Sequence, residues 1–320
     1  MRAAGGVLLV LMVFVAVAAP WLAPNPPDQQ FDTYLYAPPT PFHWTSFSSL
    51  RLINRLERRF EVREQAVPVR WFGAGHFVSS ADANAPLLLL GADSYGRDIF
   101  ARLVYGGRAS LGISALATLI TMIVGAAIGG IAGYAGGAVD EVLSRFSDFV
   151  LVLPSIYVVL ALRAVMPLVL PPAQVFALLV GIFALVSWPV VARGVRGIIA
   201  SEREREYVTA GLAAGAGPMR LLAVHLMPAA RGYLLTQATL LLPAFILAEA
   251  TLSYVGLGFP TSVPTWGTML SDASNVALVG EAPWMLAPAA AIFLVVLAVN
   301  LVVQGRGRSP IQFDVDGRRS

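Results

Sequence analysis

The run Ala109-Ser-Leu-Gly-Ile-Ser-Ala-Leu-Ala-Thr-Leu-Ile-Thr-Met-Ile-Val-Gly-Ala-Ala-Ile-Gly-Gly-Ile-Ala-Gly-Tyr134 contains no Asp, Glu, Lys or Arg. A hydrocarbon core of about 30 Å is crossed by about 20 helical residues, so this run is long enough to span a bilayer. Gly125, Gly129 and Gly133, continued by Gly137, recur at every fourth position and share one helix face. Stripes of small residues let membrane helices bring their backbones together, which makes these glycines candidate packing positions.

The whole chain agrees with that solvent. It has 320 residues, 57% hydrophobic and 13% charged, and a mean hydropathy of +0.71. Soluble domains carry about a quarter charged residues. Every basic residue is Arg; Lys and Cys are absent. A phosphate-binding loop of the Walker type needs a Lys, as does a pyridoxal-phosphate enzyme. Thiolate metal sites, disulfides and Cys nucleophiles need Cys. His43, His76 and His225 are far apart in sequence, so no catalytic residue, metal ligand or cofactor site is expected.

Five further apolar runs, at 6–22, 149–170, 173–191, 233–252 and 284–303, complete an expected six transmembrane helices. An all-α polytopic membrane protein follows, divided into a first span (1–24), a long extracytoplasmic segment (25–108), a five-helix core (109–304) and a tail (305–320). A cleaved signal peptide is the rival reading of the first run, but Pro20 would stand just after the cut. Arg145, Arg193, Arg196, Arg203, Arg205 and Arg220 fall in connections on one side, together with Arg306, Arg308, Arg318 and Arg319. By the positive-inside rule that side, with both termini, is cytoplasmic. Glu249 lies within the fifth run, where a charge costs about 2.5–3.5 kcal/mol on insertion scales. It is expected to be paired, protonated or facing a wet pore or an interface.

In the long segment Leu52, Ile53, Leu56 and Phe60 recur at helical spacing and predict a short amphipathic helix. Val67, Val69, Trp71 and Phe72 read as extended. Basic and acidic residues balance, which predicts an ordinary solvated domain rather than a membrane-binding one.

Between the fourth and fifth spans, Ser201-Glu-Arg-Glu204 reads as a capping box. A helix follows through Tyr207 and Leu212. Gly215 and Gly217 suit the left-handed turn that ends it, and Pro218 the first turn of a second helix, which Pro228 then breaks. A DNA-binding helix-turn-helix would need a basic recognition helix on a soluble host. Pinned between two spans and rich in Ala and Gly, this loop (200–228) reads instead as a rigid docking knob, with no nucleic-acid role.

The loop Glu206-Tyr-Val-Thr-Ala-Gly-Leu-Ala-Ala-Gly-Ala-Gly-Pro218 resembles the EAA motif of ATP-binding-cassette importer permeases, with Gly215 and Pro228 at the motif's Gly and Pro. The chain is similar to the second permease subunit of dipeptide, oligopeptide and nickel importers. Other matching stretches are Gly91-Ala-Asp-Ser-Tyr-Gly-Arg-Asp98 with Arg102, Glu249-Ala-Thr-Leu-Ser253 and Thr265-Trp-Gly-Thr-Met-Leu270. Thr209 and Gly211 depart from the motif's Glu and Ala, and the tail departs from the family's ending. The resemblance implies half of a translocation pathway in a bacterial or archaeal plasma membrane. It also implies a homologous second permease, two cytoplasmic ATPases and an extracytoplasmic solute-binding protein as partners. Glu206, Thr209, Ala210, Gly211, Gly215 and Pro228 would form the ATPase-coupling element. The competing classes are a self-contained secondary transporter, which would show internal repeats, and an intramembrane enzyme, which would need His or paired Asp within spans.

Overall fold

A computed structural model describes residues 2–54, 58–73, 75–82, 84–165, 167, 170–274 and 280–304 of the chain. Leu56 and the expected cytoplasmic tail, 305–320, lie outside the described residues. Two short helices open the chain, α1 (Arg2–Val17) and α2 (Ala19–Leu22). A three-stranded antiparallel sheet follows, ordered β1 (Ser46–Asn54), β2 (Arg59–Trp71), β3 (Val78–Ser80). The remainder is helical: α3 (Ile99–Ala135), α4 (Gly137–Val152), α5 (Ser155–Val165), α6 (Pro172–Glu202), α7 (Glu206–Ala213) and α8 (Pro218–Arg220). A π-helical turn (Leu221–Leu226) leads into α9 (Met227–Tyr254). Then come α10 (Trp266–Asp272), a 3-10 turn (Pro283–Leu286) and α11 (Ala287–Gln304).

Four described helical stretches are long and apolar enough to cross a membrane: Ile99–Ala135, Pro172–Glu202, Pro218–Tyr254 and Pro283–Val303. Ala3–Val17 is a shorter apolar helix. The run expected as a third span, 149–170, is divided between α4 and α5. Pro154 disfavours helical backbone at the residue before it, and Leu153 is extended at φ −69°, ψ 121°.

Three other expectations need correction. The residues read as an amphipathic helix form a β-hairpin, with Leu52 paired to Phe60 and Leu50 to Val62. Leu50 packs with Tyr34, Ala37, Leu88 and Ala92, and Phe47 with Val78, Ala85 and Leu87. That apolar spacing suited both periods, and cross-strand burial decided for the strand. The extended reading of Val67 to Trp71 matches β2; Phe72 lies just beyond it. Ser201 caps nothing, because α6 continues through Glu202 on the strength of its buried Ile199. The cap of α7 is Arg205, without a side-chain bond. Pro228 does not break its helix. The wide turns of the π-helical segment Leu221–Leu226 precede Pro228 and absorb its missing N–H, so the backbone stays helical from Pro218 to Tyr254.

The centre of the helical part is the parallel pair of α3 and α6, whose contacts advance together from Gly125 with Val191 to Gly133 with Arg196. A Cβ on Gly125 would lie 2.6 Å from the Val191 Cβ, and one on Gly133 would lie 2.6 Å from the Arg196 carbonyl oxygen. At Gly129 it would strike the Ala192 carbonyl oxygen itself. The backbones of α3 and α6 therefore approach closely at Gly125, Gly129 and Gly133, and Val191, Val195 and Ile199 are fully buried beside them. Gly137, expected to continue the stripe, instead opens α4 at φ +54° with nothing against it. Since a backbone carbonyl cannot rotate away, Gly129→Ala should lower thermal stability in detergent by about 1–3 kcal/mol. Gly181→Ala on α6, where a Cβ meets nothing within 4 Å, should be neutral. Equal melting temperatures for the two variants would contradict this packing.

Candidate functional site

At one end of the α3–α6 pair, the segment entering α3 builds a buried ionic cluster. Asp98 is the N-cap of α3: its carboxylate accepts from the Phe100 and Ala101 N–H groups and, at 2.8 Å, from the Asn25 side-chain amide. Burial pushes the Asp98 carboxyl up to about 7, against the lowering effect of these donors. Immediately before it, the Arg97 guanidinium donates to Asp93 at 2.7 Å, to Asp272 at 2.9 Å and to the Thr261 carbonyl at 2.9 Å. Arg102 also donates to the Thr261 carbonyl, at 3.0 Å, and its Nε is 3.5 Å from Asp93. Two guanidinium groups thus face two carboxylates, nearly all their surface withdrawn from solvent. The pairing ties three separate pieces of chain: the turn before α3, the first turns of α3, and the loop and helix at Thr261 and Asp272.

Glu249 on α9 is fully buried close by. Ser110 of α3 donates to one of its oxygens at 2.9 Å and Ser253 of α9 to the other at 2.8 Å. The Ser110 hydroxyl in turn accepts from the Trp266 N–H, the first residue of α10. Thr265 caps α10 with its side chain on the Thr268 N–H, and Thr268 returns the bond to the Thr265 N–H. The carboxyl is therefore a three-helix junction of α3, α9 and α10. The sequence placed Glu249 in a span with Ser253 one turn on, but did not supply Ser110, which comes from 139 residues away along the chain.

The opposite end carries a second ionic group. Arg203, just after α6, donates to the Tyr134 carbonyl at 2.9 Å and so covers the open end of α3. Arg196 binds Asp140 of α4 through its Nε and one terminal nitrogen, at 2.5 and 2.6 Å. Arg193 reaches Asp148.

Beyond these pairs stands α7. Val208 is its single buried residue, packed with Val195, Ile199, Leu221 and Leu226. Glu206, Thr209 and Ala210 are exposed, and Gly211 is half-buried against Leu221. Gly215 has φ +80° with open space around it; its N–H donates to the Leu212 carbonyl while the Ala216 N–H reaches back to that of Gly211. This pair of bonds is the Schellman ending of a helix, which favours glycine at the left-handed position. Gly217, expected to share that conformation, has φ −70° and precedes α8 instead. Pro228 is exposed on the opening turn of α9. Among the coupling candidates, Glu206 to Gly215 are brought together on one knob, and Pro228 sits on the helix that leaves it.

Comparisons with known proteins give the family. Residues 125–305 match the family described as the inner membrane component of binding-protein-dependent transport systems. Residues 2–39 match the N-terminal transmembrane domain of oligopeptide transport permease C. The chain belongs to this permease family. The Di/tripeptide transport system permease protein DppC of Pseudomonas aeruginosa is 33% identical over 305 residues, 95% of this chain and 85% of that protein. The Oligopeptide transport system permease protein OppC of Bacillus subtilis is 37% identical over 216 residues, covering 67% of this chain and 68% of its own. The Dipeptide transport system permease protein DppC of Haemophilus influenzae is 30% identical over 302 residues, 94% and 86% of the two chains. The chain is thus a multi-pass membrane permease component and not a self-contained secondary transporter.

In this permease the Arg97 cluster is the most exacting feature of the Asp98 end. Removing one partner of a buried ion pair leaves the other charge uncompensated, at about 3–5 kcal/mol. Arg97→Ala should therefore lower the melting temperature or yield sharply, since it strands Asp93 and Asp272 together. Arg97→Lys should rescue little, because an ammonium cannot reproduce the guanidinium fork. Wild-type stability of Arg97→Lys in a detergent melt would show that charge alone suffices.

Proposed function

We propose that this permease forms half of the translocation pathway of an ATP-binding-cassette importer for peptides or similar small solutes. In this reading both termini are cytoplasmic, α7 faces the cytoplasm and the β-sheet domain is extracytoplasmic, as the distribution of Arg favours. Six spans are reached by counting α1 with α2 as the first and the α4–α5 pair as the third, beside the four long helical stretches. Residues 25–108, 109–304 and 305–320 then keep the roles of outer domain, permease core and cytoplasmic tail. A homologous second permease would complete the pathway, and an extracytoplasmic binding protein would deliver the solute, as the names of the relatives suggest. The most exposed long helix supports the half-pathway. The most apolar window of Pro218–Tyr254 is 22% buried against 56% for Pro172–Glu202, and its α9 carries Thr236, Gln237 and Thr239, which suit a wet pathway or a partner better than lipid.

The observation that carries the proposal is the α7 knob. It is held by one buried side chain and ended by a fixed turn. It leaves small residues with Tyr207 and Leu212 outward, followed by the exposed Met219 of α8, and it stands between two membrane-spanning helices. A cleft on a separate ATPase would grip such a knob. Closure of the ATPase dimer would then move α6 and, through the glycine stripe, α3. With no Lys in the chain, hydrolysis belongs to those partner subunits.

Gly215 tests the coupling. Its surroundings are open, so a substitution there acts through the left-handed backbone and through bulk on the knob's surface. Gly215→Val should insert and fold nearly as wild type while ATPase co-purification and peptide uptake fall about tenfold or more, the equivalent of about 1.4 kcal/mol in a binding constant. Gly215→Ala should be intermediate. Wild-type uptake and ATPase retention in both variants would remove the coupling role from this loop.

A further inference from the structure

The β-sheet domain ends in a cluster of aromatic rings that the fold leaves open. Trp21 lies on α2, directly after the apolar helix α1. Its ring is 4.9 Å from that of Phe77 and 6.2 Å from that of Phe72, and its carbonyl accepts from the Phe77 N–H at 2.6 Å. The Trp71 ring is 5.4 Å from Phe77, 4.9 Å from Trp44 and 6.2 Å from Phe42, and its indole N–H donates to the Trp44 carbonyl. Six rings from three parts of the chain thus form one continuous patch. Its outward members are well exposed: Trp44 at 77%, Phe72 at 69% and Trp21 at 41%.

Two features show that this patch is built rather than left over. Phe72 has φ +55°, a left-handed conformation that bulky residues rarely adopt. The strain turns an apolar ring outward, the reverse of what burial favours, and such strain marks places where a segment is held for use. The patch is also continuous with a surface already made for lipid. Along α1, Val7, Val10, Leu11, Val13, Phe14 and Val17 are all exposed, and that apolar surface runs on through Trp21. Trp at the end of a spanning helix, with its polar edge available, is the signature of the membrane–water interface. Arg70, exposed next to the tip and with its stem against Gly73, adds a charge suited to lipid phosphates.

We propose that the aromatic tip, Trp21 with Phe42, Trp44, Trp71, Phe72 and Phe77, seats in the headgroup–acyl boundary of the outer leaflet and anchors the extracytoplasmic domain to the membrane. The balanced charge of residues 25–108 had pointed to a wholly solvated domain; the anchor resides in ring placement, which a charge count does not register. The occupant is lipid rather than a protein partner because the patch continues a lipid-facing helix at the depth where that helix leaves the bilayer. The proposal rests on the topology given under Proposed function.

Because the chain has no Cys, single nitroxide labels can be placed cleanly. Thr45→Cys, exposed beside Trp44, reports on the tip. Asn84→Cys, beside Arg51, Arg63 and Asp82 in a polar recess, reports on water. The full permease is assembled with its partner subunits in nanodiscs of phosphatidylethanolamine and phosphatidylglycerol, and power-saturation EPR is read with oxygen and with a water-soluble nickel chelate. The expected result is high oxygen and low nickel accessibility at position 45, with the opposite at 84. The double variant Trp44→Ser/Phe72→Ser should reduce the oxygen-to-nickel ratio at 45 severalfold while leaving position 84 unchanged. Nickel accessibility at 45 equal to that at 84 overturns the anchor, and so does protection from both reagents, which would mean that protein covers the tip. A membrane-impermeant maleimide that reaches Asn84→Cys only from the cytoplasmic side overturns the topology, and the outer-leaflet assignment with it, whatever position 45 reads.

Discussion

Close contact between the backbones of α3 and α6 is the constraint on which the rest of the permease depends. Lipid tails are as apolar as leucine, so membrane helices gain little from burying apolar side chains against one another. What they gain comes from close packing, and Gly125, Gly129 and Gly133 permit the closest kind, helix carbonyl against helix carbon. The helices that flank this pair have correspondingly less freedom. Arg196 on α6 and Asp140 on α4 meet because the stripe brings the ends together, and Arg203 covers the last carbonyls of α3 for the same reason.

The two ends of the pair differ in how they are finished. At the Asp98 end, charged and polar groups are buried and interlocked, so the entry to α3, α10 and the turn at Thr261 behave as one piece. At the α7 end the ion pairs are partly exposed and the last element, α7, touches the body chiefly through Val208. Buried ionic clusters confer specificity of arrangement more than stability. In the proposed assembly that suits an end that would keep one shape where the solute-binding protein docks. A lightly attached but internally rigid knob suits an end that receives a push. Anchoring the sheet domain at the lipid surface would add a third fixed point, beside the first helix.

Much of the helical part could be read from the sequence because membrane spans need long apolar runs, and four of the expected runs correspond to long helices. The division at Leu153-Pro154 was less legible, since hydropathy does not register a break that costs no apolar residues. Within the hairpin, Leu52, Ile53 and Phe60 read as helical for a reason of distance, while Val67 to Trp71 read correctly as extended. Leu52 and Phe60 fit a helix locally, and only their pairing across the strands makes them neighbours. The false cap at Ser201 has the same origin in reverse: a good local signal was overridden by α6 packing through Ile199. The Arg97 cluster left only a weak trace, the stretch Gly91 to Asp98 within the family resemblance. Its partner Asp272 is too far along the chain for any local pattern to reveal. Gly215, by contrast, was legible, because a left-handed helix ending makes a demand that glycine meets within a few residues.

All of these parts serve one claim, that this chain conducts solute only when a separate ATPase drives it. The most direct measurement is uptake of a labelled dipeptide by proteoliposomes that contain the permease with its partner permease, both ATPases and the binding protein. It is compared with proteoliposomes that contain the permease alone under an imposed proton gradient. The account predicts ATP-dependent uptake in the complete assembly and none by the lone chain. Gradient-driven uptake by the lone chain, at a rate comparable with the assembly, would contradict it.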